Sequence, residues 1–578
     1  MDREHASHPG PASAGDAVAP IRPMAAEVFL AALAEHGVDK FFLNPGTDFA
    51  PIVEAYSAAG RKNPRMPDPV LVTHENTAVT MAHGYFLATG RAQAVMVHVS
   101  VGTANTINAI ADASRDNVPV LLCAGRSPVT EVGAVGTRNR HIHWAQEMFD
   151  QAGMLREWVK WDYELRNPSQ VADVVDRAFE VMDAAPRRPV YLTLPREPLA
   201  ASVSEGTAVN ARRGPPRKPH PDPADIETLA GWLADASSPL IVTAGMGRTA
   251  EDVATLAAFA ERFAVPIVTY NPRQLCLPTD HPMHAGFDPG PLVPKADLIL
   301  AIESDVPWTP SLVRPAPGTR IVHVGEDPAW QRYPMRSFPS DLSITADAAV
   351  TLARLHRAAE EQIAEGDLEA RRFAMAETRA ARLAAAAAKA RPKGSVITPE
   401  YLSHAIGEAL GDATIVNEYP LRLDHCSRTR PGSYFQLGPA GGLGWSLGAA
   451  LGIKLADPGR LVVCTIGDGA YMFANPSASH WTAQVHDLPV LTIVFNNERY
   501  GAVRGATMSM YAKGAAGADD GRFLADLASG SRWDKVVEAH GGYGERVEDA
   551  AELPAALARA RRAVEEGRQA LLDVICPY

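Results

Sequence analysis

Two short polar turns constrain this chain more than anything else in it: Gly467-Asp468-Gly469 and Asn496-Asn497, with 26 residues between them. The first ends the apolar run LVVCTI (Leu461 to Ile466), and the second ends LPVLTIVF (Leu488 to Phe495). Both runs predict buried parallel strands, with a crossover helix between them. In such a unit ligands bind at the carboxyl ends of the strands. One carboxylate and one or two amides would therefore project from neighbouring strand ends. That hard-oxygen set suits a magnesium ion holding a diphosphate, and the glycines let backbone approach the phosphates closely.

Length and composition narrow the class. At 578 residues the chain is too long for one core and predicts three or four domains. A net charge of −12, with no dense basic stripe, argues against nucleic acid as the main partner. Cys123, Cys276, Cys426, Cys464 and Cys576 are scattered without a CxxC pair, which predicts reduced thiols in a cytoplasmic protein. No apolar run reaches the length needed to span a bilayer, so no membrane association is expected. Residues 1–20 read as a polar, disordered tail.

The expected fold class is α/β, with three consecutive domains that each hold a mostly parallel sheet flanked by helices. Residues 21–200 carry the strand-like runs KFFLN, PVLVTH, AVMVHVS, VPVLLCAG and RPVYLTLP. Residues 201–223, rich in proline and charge, read as a linker. A second unit, 224–350, carries SPLIVTAG, VPIVTY, ADLILAIE and TRIVHVG. Residues 351–391 read as a helical linker, and 392–578 as the unit that holds both polar turns. No short tandem repeat is visible.

Several further segments carry a resemblance. These are LNPGTDFAP (Leu43 to Pro51), VTHENTAVTMAHGYFLATGR (Val72 to Arg91), VHVSVGTANTINAIADASRDNVPVLLCAG (Val97 to Gly125), VKWDYEL (Val159 to Leu165) and PAGGLGWSLGAALG (Pro439 to Gly452). Together with the two polar turns they resemble the thiamine-diphosphate-dependent 2-oxo-acid decarboxylases and carboligases, of the acetolactate synthase and benzoylformate decarboxylase types. The resemblance runs from about Pro23 to the C-terminus. It implies that the three domains are, in order, pyrimidine-binding, middle and diphosphate-binding. It also implies thiamine diphosphate and Mg²⁺ as cofactors, and chemistry on a 2-oxo acid through ylide and enamine intermediates.

The resemblance also distributes roles. Glu75 is the acid that shares a proton with the pyrimidine, and burial would raise its pKa. Asp468, Asn497 and the Arg499 carbonyl are the metal ligands, while Asn496 braces its strand end. Gly467, Gly469, Ala470 and Tyr500 belong to the diphosphate side. Leu443 is the apolar wedge that bends the cofactor, with Gly441 and Gly442 at the pyrimidine edge. Asn475 and Pro476 would start the helix after a lengthened GDG loop. Tyr419, Pro420 and Leu421 stand where small hydroxyl residues are usual, so they inherit no phosphate role.

For the substrate, the resemblance points to His98 as a proton shuttle, Thr47 as a hydroxyl for the carboxylate, and Gln146 near the thiazolium. His141, His143 and Trp144 would line the entrance, the two histidines alternating as on an extended strand. Trp308 lies in the region where a second active-site histidine has no counterpart. GMGRTAEDVA (Gly245 to Ala254) is a weak dinucleotide turn, so FAD or another nucleotide in the middle domain is possible but not expected. The leading expectation is acetolactate-synthase-like carbon–carbon cleavage and formation. The alternatives are simple decarboxylation, or a flavin- or nicotinamide-binding oxidoreductase built on the middle domain. The family pattern further implies a homodimer or homotetramer with the active site at a subunit interface.

Overall fold

The computed structural model describes residues 23–60, 63–204, 216–360, 362–363 and 365–577. The expected tail lies outside these residues, as does the middle of the expected 201–223 linker. Three six-stranded, wholly parallel sheets follow one another along the chain. The first contains β1 (Lys40–Leu43), β2 (Asp68–Leu71), β3 (Gln93–Val97), β4 (Val120–Arg126), β5 (Asp162–Glu164) and β6 (Val190–Pro195), in the order 2-1-3-4-6-5. The second contains β7 (Pro239–Thr243), β8 (Ile267–Thr269), β9 (His284–Gly286), β10 (Leu298–Ile302), β11 (Arg320–Gly325) and β12 (Leu342–Thr345). Its order is 12-11-10-7-8-9. The third contains β13 (Thr414–Glu418), β14 (Tyr434–Gln436), β15 (Val462–Gly467), β16 (Leu491–Asn496), β17 (Tyr543–Val547) and β18 (Ala570–Ile575), in the order 14-13-15-16-18-17.

The apolar runs read from the sequence become central strands, buried on both faces as parallel sheets require, except PVLVTH, which becomes the edge strand β2 with only Val70 buried. Edge strands such as β5 and β14 are only three residues long, and β5, Asp-Tyr-Glu, carries little apolar signal. The crossover between β15 and β16 differs from expectation. It holds two helices, Asp468–Phe473 and Pro476–Val485, so the stretch after GDG is a helix rather than a loop. Asn475 does precede the second helix, but with a left-handed backbone (φ 49°) and no side-chain cap bond. Its amide contacts His74 Nδ1 at 3.4 Å instead.

One packing event sets the site. The helix Glu75–Thr89, which follows the second strand of the first sheet, lies against Trp445–Ala456, which follows the second strand of the third sheet. The contact is close because glycines sit in it. A Cβ on Gly84 would come within 2.0 Å of the Ala449 carbonyl oxygen, and one on Gly448 within 1.9 Å of Thr80 Oγ1. Trp445 is wholly buried at this seam and donates from Nε1 to His83 Nδ1 (3.2 Å), whose Nε2 meets Asp116 Oδ2 (3.2 Å). The first and third sheets thereby share one apolar core, and each has a further core of its own. The second sheet has its own, which includes Leu352 and Leu355 of the helix Ala348–Ala359.

Candidate active site

The carboxyl ends of the third sheet bring both polar turns together. Asp468 stands immediately after β15 and Asn497 immediately after β16, and the two strands pair in register from Val463–Leu491 to Gly467–Phe495. Asp468 is buried, and burial pushes its carboxyl up to about 6, while the N–H groups of Gly469, Arg499 and Glu498 pull the other way. Asn497 is buried too. Its Oδ1 accepts from the Arg499 amide (3.0 Å), and its Nδ2 has no partner. The Arg499 carbonyl accepts from Gly501 N (3.0 Å), which leaves one lone pair. Asn496 ties β16 to β18 by donating to Asp573 Oδ1 (2.8 Å).

These groups fit a cation only in part. Among the described residues no group of three or more His, Cys, Asp or Glu is arranged so that it could hold a metal ion by itself. One carboxylate, one amide and one carbonyl leave a divalent ion short of ligands, and diphosphate oxygens would complete the set. The space above Gly467 is open, since a Cβ there would meet nothing within 4 Å. Gly469 is pressed against the Tyr500 ring, where a Cβ would come within 2.7 Å. Ala470 is buried in the following helix turn.

Glu75 begins the Glu75–Thr89 helix and is half-buried. Asn105 donates to its Oε2 (3.1 Å). Three residues along the same helix, Asn108 bridges Asn76 Oδ1 (3.3 Å) and the Leu443 carbonyl (3.1 Å). The helix Val99–Arg115 thus joins Glu75 to Leu443. Asp112, one turn further, accepts from Gly442 N (2.9 Å); burial pushes its carboxyl well above the usual range, and its Oδ2 has no partner. Gly442 and Leu443 are half-buried, as is Gly441, whose φ of 70° suits glycine. The turn is fixed from beneath by Glu418, whose two oxygens accept from Gly444 N (2.6 Å) and Ser446 N (2.7 Å). Burial raises Glu418 to about 7. The front edge of the Glu75 helix also meets the crossover helices after GDG, through Thr77 and Ser479 (3.3 Å) and through His74 and Asn475.

His98 follows β3 directly. Its Nδ1 lies 2.5 Å from Asp48 Oδ1, and its Nε2 lies 3.4 Å from Gln146 Nε2. A carboxylate on Nδ1 fixes the proton there, so Nε2 accepts from the Gln146 amide. Gln146 Oε1 is buried without a partner. The pair has space only because glycines flank it. A Cβ on Gly46 would fall 2.1 Å from His98 Nδ1, and one on Gly125 would fall 1.7 Å from Asp48 Oδ2. Thr47 is exposed beside them.

Asp48, Asn105, Asn108, Asp112 and Glu418 were not singled out from the sequence. Asp48 alone left a trace, inside NPGTDFAP. The structure corrects the segment around His141 and His143. It is the short helix Ile142–Ala145, not an extended strand, and His143 is buried with Nδ1 accepting from Asn139 N (3.3 Å). His141 and Trp144 are exposed. Trp308 is buried in the second core, edge-on to Phe338. The GMGR turn lines a cavity of about 320 Å³ at the β7/β10 switch point. Glu303 and Glu326 line it with Asp183, Asp252 and Asp347, alongside Arg187, Arg217, Lys218 and Arg248, and burial raises Glu303 to about 7. Arg248 also donates to the Asp116 carbonyl.

Comparison with known proteins agrees with this geometry. Three family profiles match in order: the thiamine pyrophosphate enzyme N-terminal TPP binding domain over residues 24–154, the central domain over 226–355, and the C-terminal TPP binding domain over 420–574. The chain is 28% identical over 506 residues to a probable 2-ketoarginine decarboxylase of Pseudomonas aeruginosa, covering 84% of this chain and 85% of that one. It is 28% identical over 490 residues to the benzoylformate decarboxylase of the same organism (82% and 85% covered). To an acetolactate synthase large subunit of Escherichia coli it is 25% identical over 569 residues (95% and 94%). A solved thiamine diphosphate-dependent 4-hydroxybenzoylformate decarboxylase from Rhodococcus jostii superposes with a TM-score of 0.76 at 22% identity, covering 96% and 99%. With three profiles matching in order over most of its length, the chain belongs to the thiamine pyrophosphate enzymes related to 2-oxo-acid decarboxylases and acetolactate synthases.

Proposed function

We propose that this protein is a thiamine diphosphate- and Mg²⁺-dependent lyase or carboligase that cleaves the bond between the carboxylate and carbonyl carbons of a 2-oxo acid. One observation carries this reading: the Glu75 helix and the GGLG helix pack on each other, so an acid, an apolar wedge and a buried Asp/Asn pair open along one edge of two sheets. Thiamine diphosphate, when bound, supplies an electron sink for the pair released by decarboxylation. Glu75 would hold the pyrimidine end and share a proton with its ring nitrogen, kept in place by Asn105. Leu443 would press between the two rings. Asp468, Asn497 and the Arg499 carbonyl would hold Mg²⁺, and the Gly469 and Ala470 amides would face the diphosphate.

His98 is arranged to move a proton at Nε2, because Asp48 fixes the opposite nitrogen and stabilises the charged ring when it forms. Gln146 orients that same nitrogen, and Thr47 offers a hydroxyl to the substrate carboxylate. Proton delivery from His98 would complete simple decarboxylation, and a second carbonyl in its place would give carboligation. Glu75, Gly442, Leu443 and Tyr500 remain partly open in one chain, whereas this chemistry requires a dry site. That supports a homodimer or a larger assembly in which a second copy covers the edge. A cytoplasmic location suits the five buried, unpaired cysteines.

The test is to supply thiamine diphosphate and Mg²⁺ with a panel of aliphatic, aromatic and guanidino 2-oxo acids, measuring carbon dioxide and identifying products. Cofactor-dependent release from at least one acid is expected. Aldehyde as the product assigns decarboxylation, and an acyloin or acetohydroxy acid assigns carboligation. No release across the panel, with cofactor demonstrably bound, would overturn the reading.

A further inference from the structure

The turn that carries His98 holds a backbone conformation that its own residues disfavour. Val99, which begins the helix Val99–Arg115 directly after His98, has φ 31°. Among the described residues it is the only β-branched one with a positive φ, where a branched side chain is crowded against the backbone. Such strain persists only where the surroundings hold it in place.

Here the surroundings converge on three consecutive residues. Asp48 Oδ1 meets His98 Nδ1 (2.5 Å), and its Oδ2 faces the Val99 N–H (3.4 Å). Ser100 Oγ donates to the carbonyl of Gln146 (2.8 Å), whose side chain lies on His98 Nε2. Behind the turn, Thr103 Oγ1 donates to the Val99 carbonyl (2.7 Å) and lies 3.0 Å from the Tyr191 hydroxyl. Gln151 Nε2 donates to that hydroxyl (2.8 Å) and to the carbonyl of Gly125 (2.9 Å), the glycine whose missing Cβ admits Asp48. With the Thr103 hydrogen on Val99, Tyr191 donates to Thr103. The bonds therefore run one way, from Gln151 to the strained residue, and polarise one another.

A threonine bonded to the carbonyl four residues back is ordinary in a helix. This carbonyl, however, belongs to the strained residue, and Tyr191 brings its hydroxyl there from β6 through a wholly buried core. The same helix carries Asn105 and Asn108, which hold Glu75 and Leu443. The bend at Val99 thus sets His98 relative to both. We propose that Thr103 is a positioning residue for His98: backed by Tyr191, it locks the strained Val99 turn that seats the imidazole between Asp48 and Gln146. This rests on the proposed function, in which His98 moves a proton. Thr103 is itself wholly buried and acts only through the turn.

The test is a cycle of His98→Ala and Thr103→Val in the full-length protein with thiamine diphosphate and Mg²⁺, using the acid of the panel above that is turned over fastest. Thr103→Val keeps the shape and removes the hydroxyl. It should lower kcat by about tenfold with His98 present and by less than about twofold in the His98→Ala background. KM and cofactor affinity should change little. Tyr191→Phe should give the same pattern more weakly, and serves if Thr103→Val does not fold. An equal loss with and without His98 would mean that Thr103 only supports the fold, and no loss in either variant would mean that the turn needs no brace; each overturns the proposal. Imidazole nitrogen NMR shifts of histidine-labelled protein give a readout free of turnover, His98 being the signal lost in His98→Ala. The wild-type ring should show a fixed Nδ1–H tautomer, and Thr103→Val an averaged one. Unchanged shifts would overturn the proposal even where decarboxylation is confirmed. Averaged shifts without turnover of any acid would remove the proposed function and leave the positioning of His98 in place.

Discussion

The first and third sheets share one strand order, 2-1-3-4-6-5 when each is counted from its own first strand, yet they carry opposite chemistry at matching places. After the first strand stand the Asn44–Asp48 turn in one sheet and Tyr419 in the other. After the second come Glu75 and Leu443, each at or just before the start of its helix. After the third come His98 and Asp468, and after the fourth Ser127 and Asn497, each with a buried polar atom that lacks a partner. One scaffold thus ends its strands in Glu75 and His98 on its first copy and in Asp468 and Asn497 on its second; under the proposed function the first set would handle protons and the second the cation and diphosphate. The two copies pack through matching helices, so both sets of strand ends open onto the same edge. The second sheet shows what is lost without this arrangement. Counted from its far edge its order is 3-2-1-4-5-6, and its switch point holds Glu303 and Glu326 beside Arg187, Lys218 and Arg248, a mixed lining unlike the Asp468/Asn497 pair.

The sharpest test of this division of labour is Glu75→Gln. It should lower turnover by about 10²- to 10⁴-fold while leaving thiamine diphosphate affinity, measured by fluorescence quenching, within a few-fold. Loss of affinity instead of turnover would move Glu75 to the binding half. Asp468→Ala should do the reverse, weakening Mg²⁺-dependent cofactor binding by about a hundredfold or more. Retained binding would remove the third sheet from its role. Next comes the seam. Gly84→Ala places a methyl group 2.0 Å from the Ala449 oxygen, so the protein should lose about 1–3 kcal/mol of stability in denaturant unfolding. An unperturbed midpoint would show that the two helices are not in this contact.

The smallest effect concerns pH. Asp468 is protonated below about 6 before any cation binds, because burial penalises its charge. A bound cation must displace that proton. Apparent Mg²⁺ affinity should therefore be flat above pH 6 and fall by about tenfold per unit below it, as read by titration between pH 5 and 8. An affinity independent of pH over that range would mean that Asp468 is not a ligand.

Much of this was legible in the chain. KFFL, VLLCAG, PLIVT, LILAI and LTIVF become buried strands because continuous apolar runs have no other use in a parallel sheet, and the polar residues that end them had to lie at the open edge. What stayed hidden has a common cause. Asp48 meets His98 across 50 residues, Asp112 meets Gly442 across 330, and Trp445 meets His83 across 362. No local pattern marks such a partner. The short edge strands β5, β9 and β14 were missed because none lies in a continuous apolar run such as the VPIV that marked β8, itself three residues long. The segment expected as a helical linker, 351–391, takes in most of one helix, Ala348–Ala359, and all of another, Glu365–Lys389.

By itself, then, the order of residues fixed which side chains end each strand, and with them the kinds of bond the protein can offer: a carboxylate and amides at one pair of turns, an acid and a histidine at another. Tertiary structure decided which of these face each other. The duplicated strand order has left no visible repeat in the sequence, because many apolar residues fill a buried strand equally well. The seam between the copies depends on glycine clearances that acquire meaning only when a second helix lies across them.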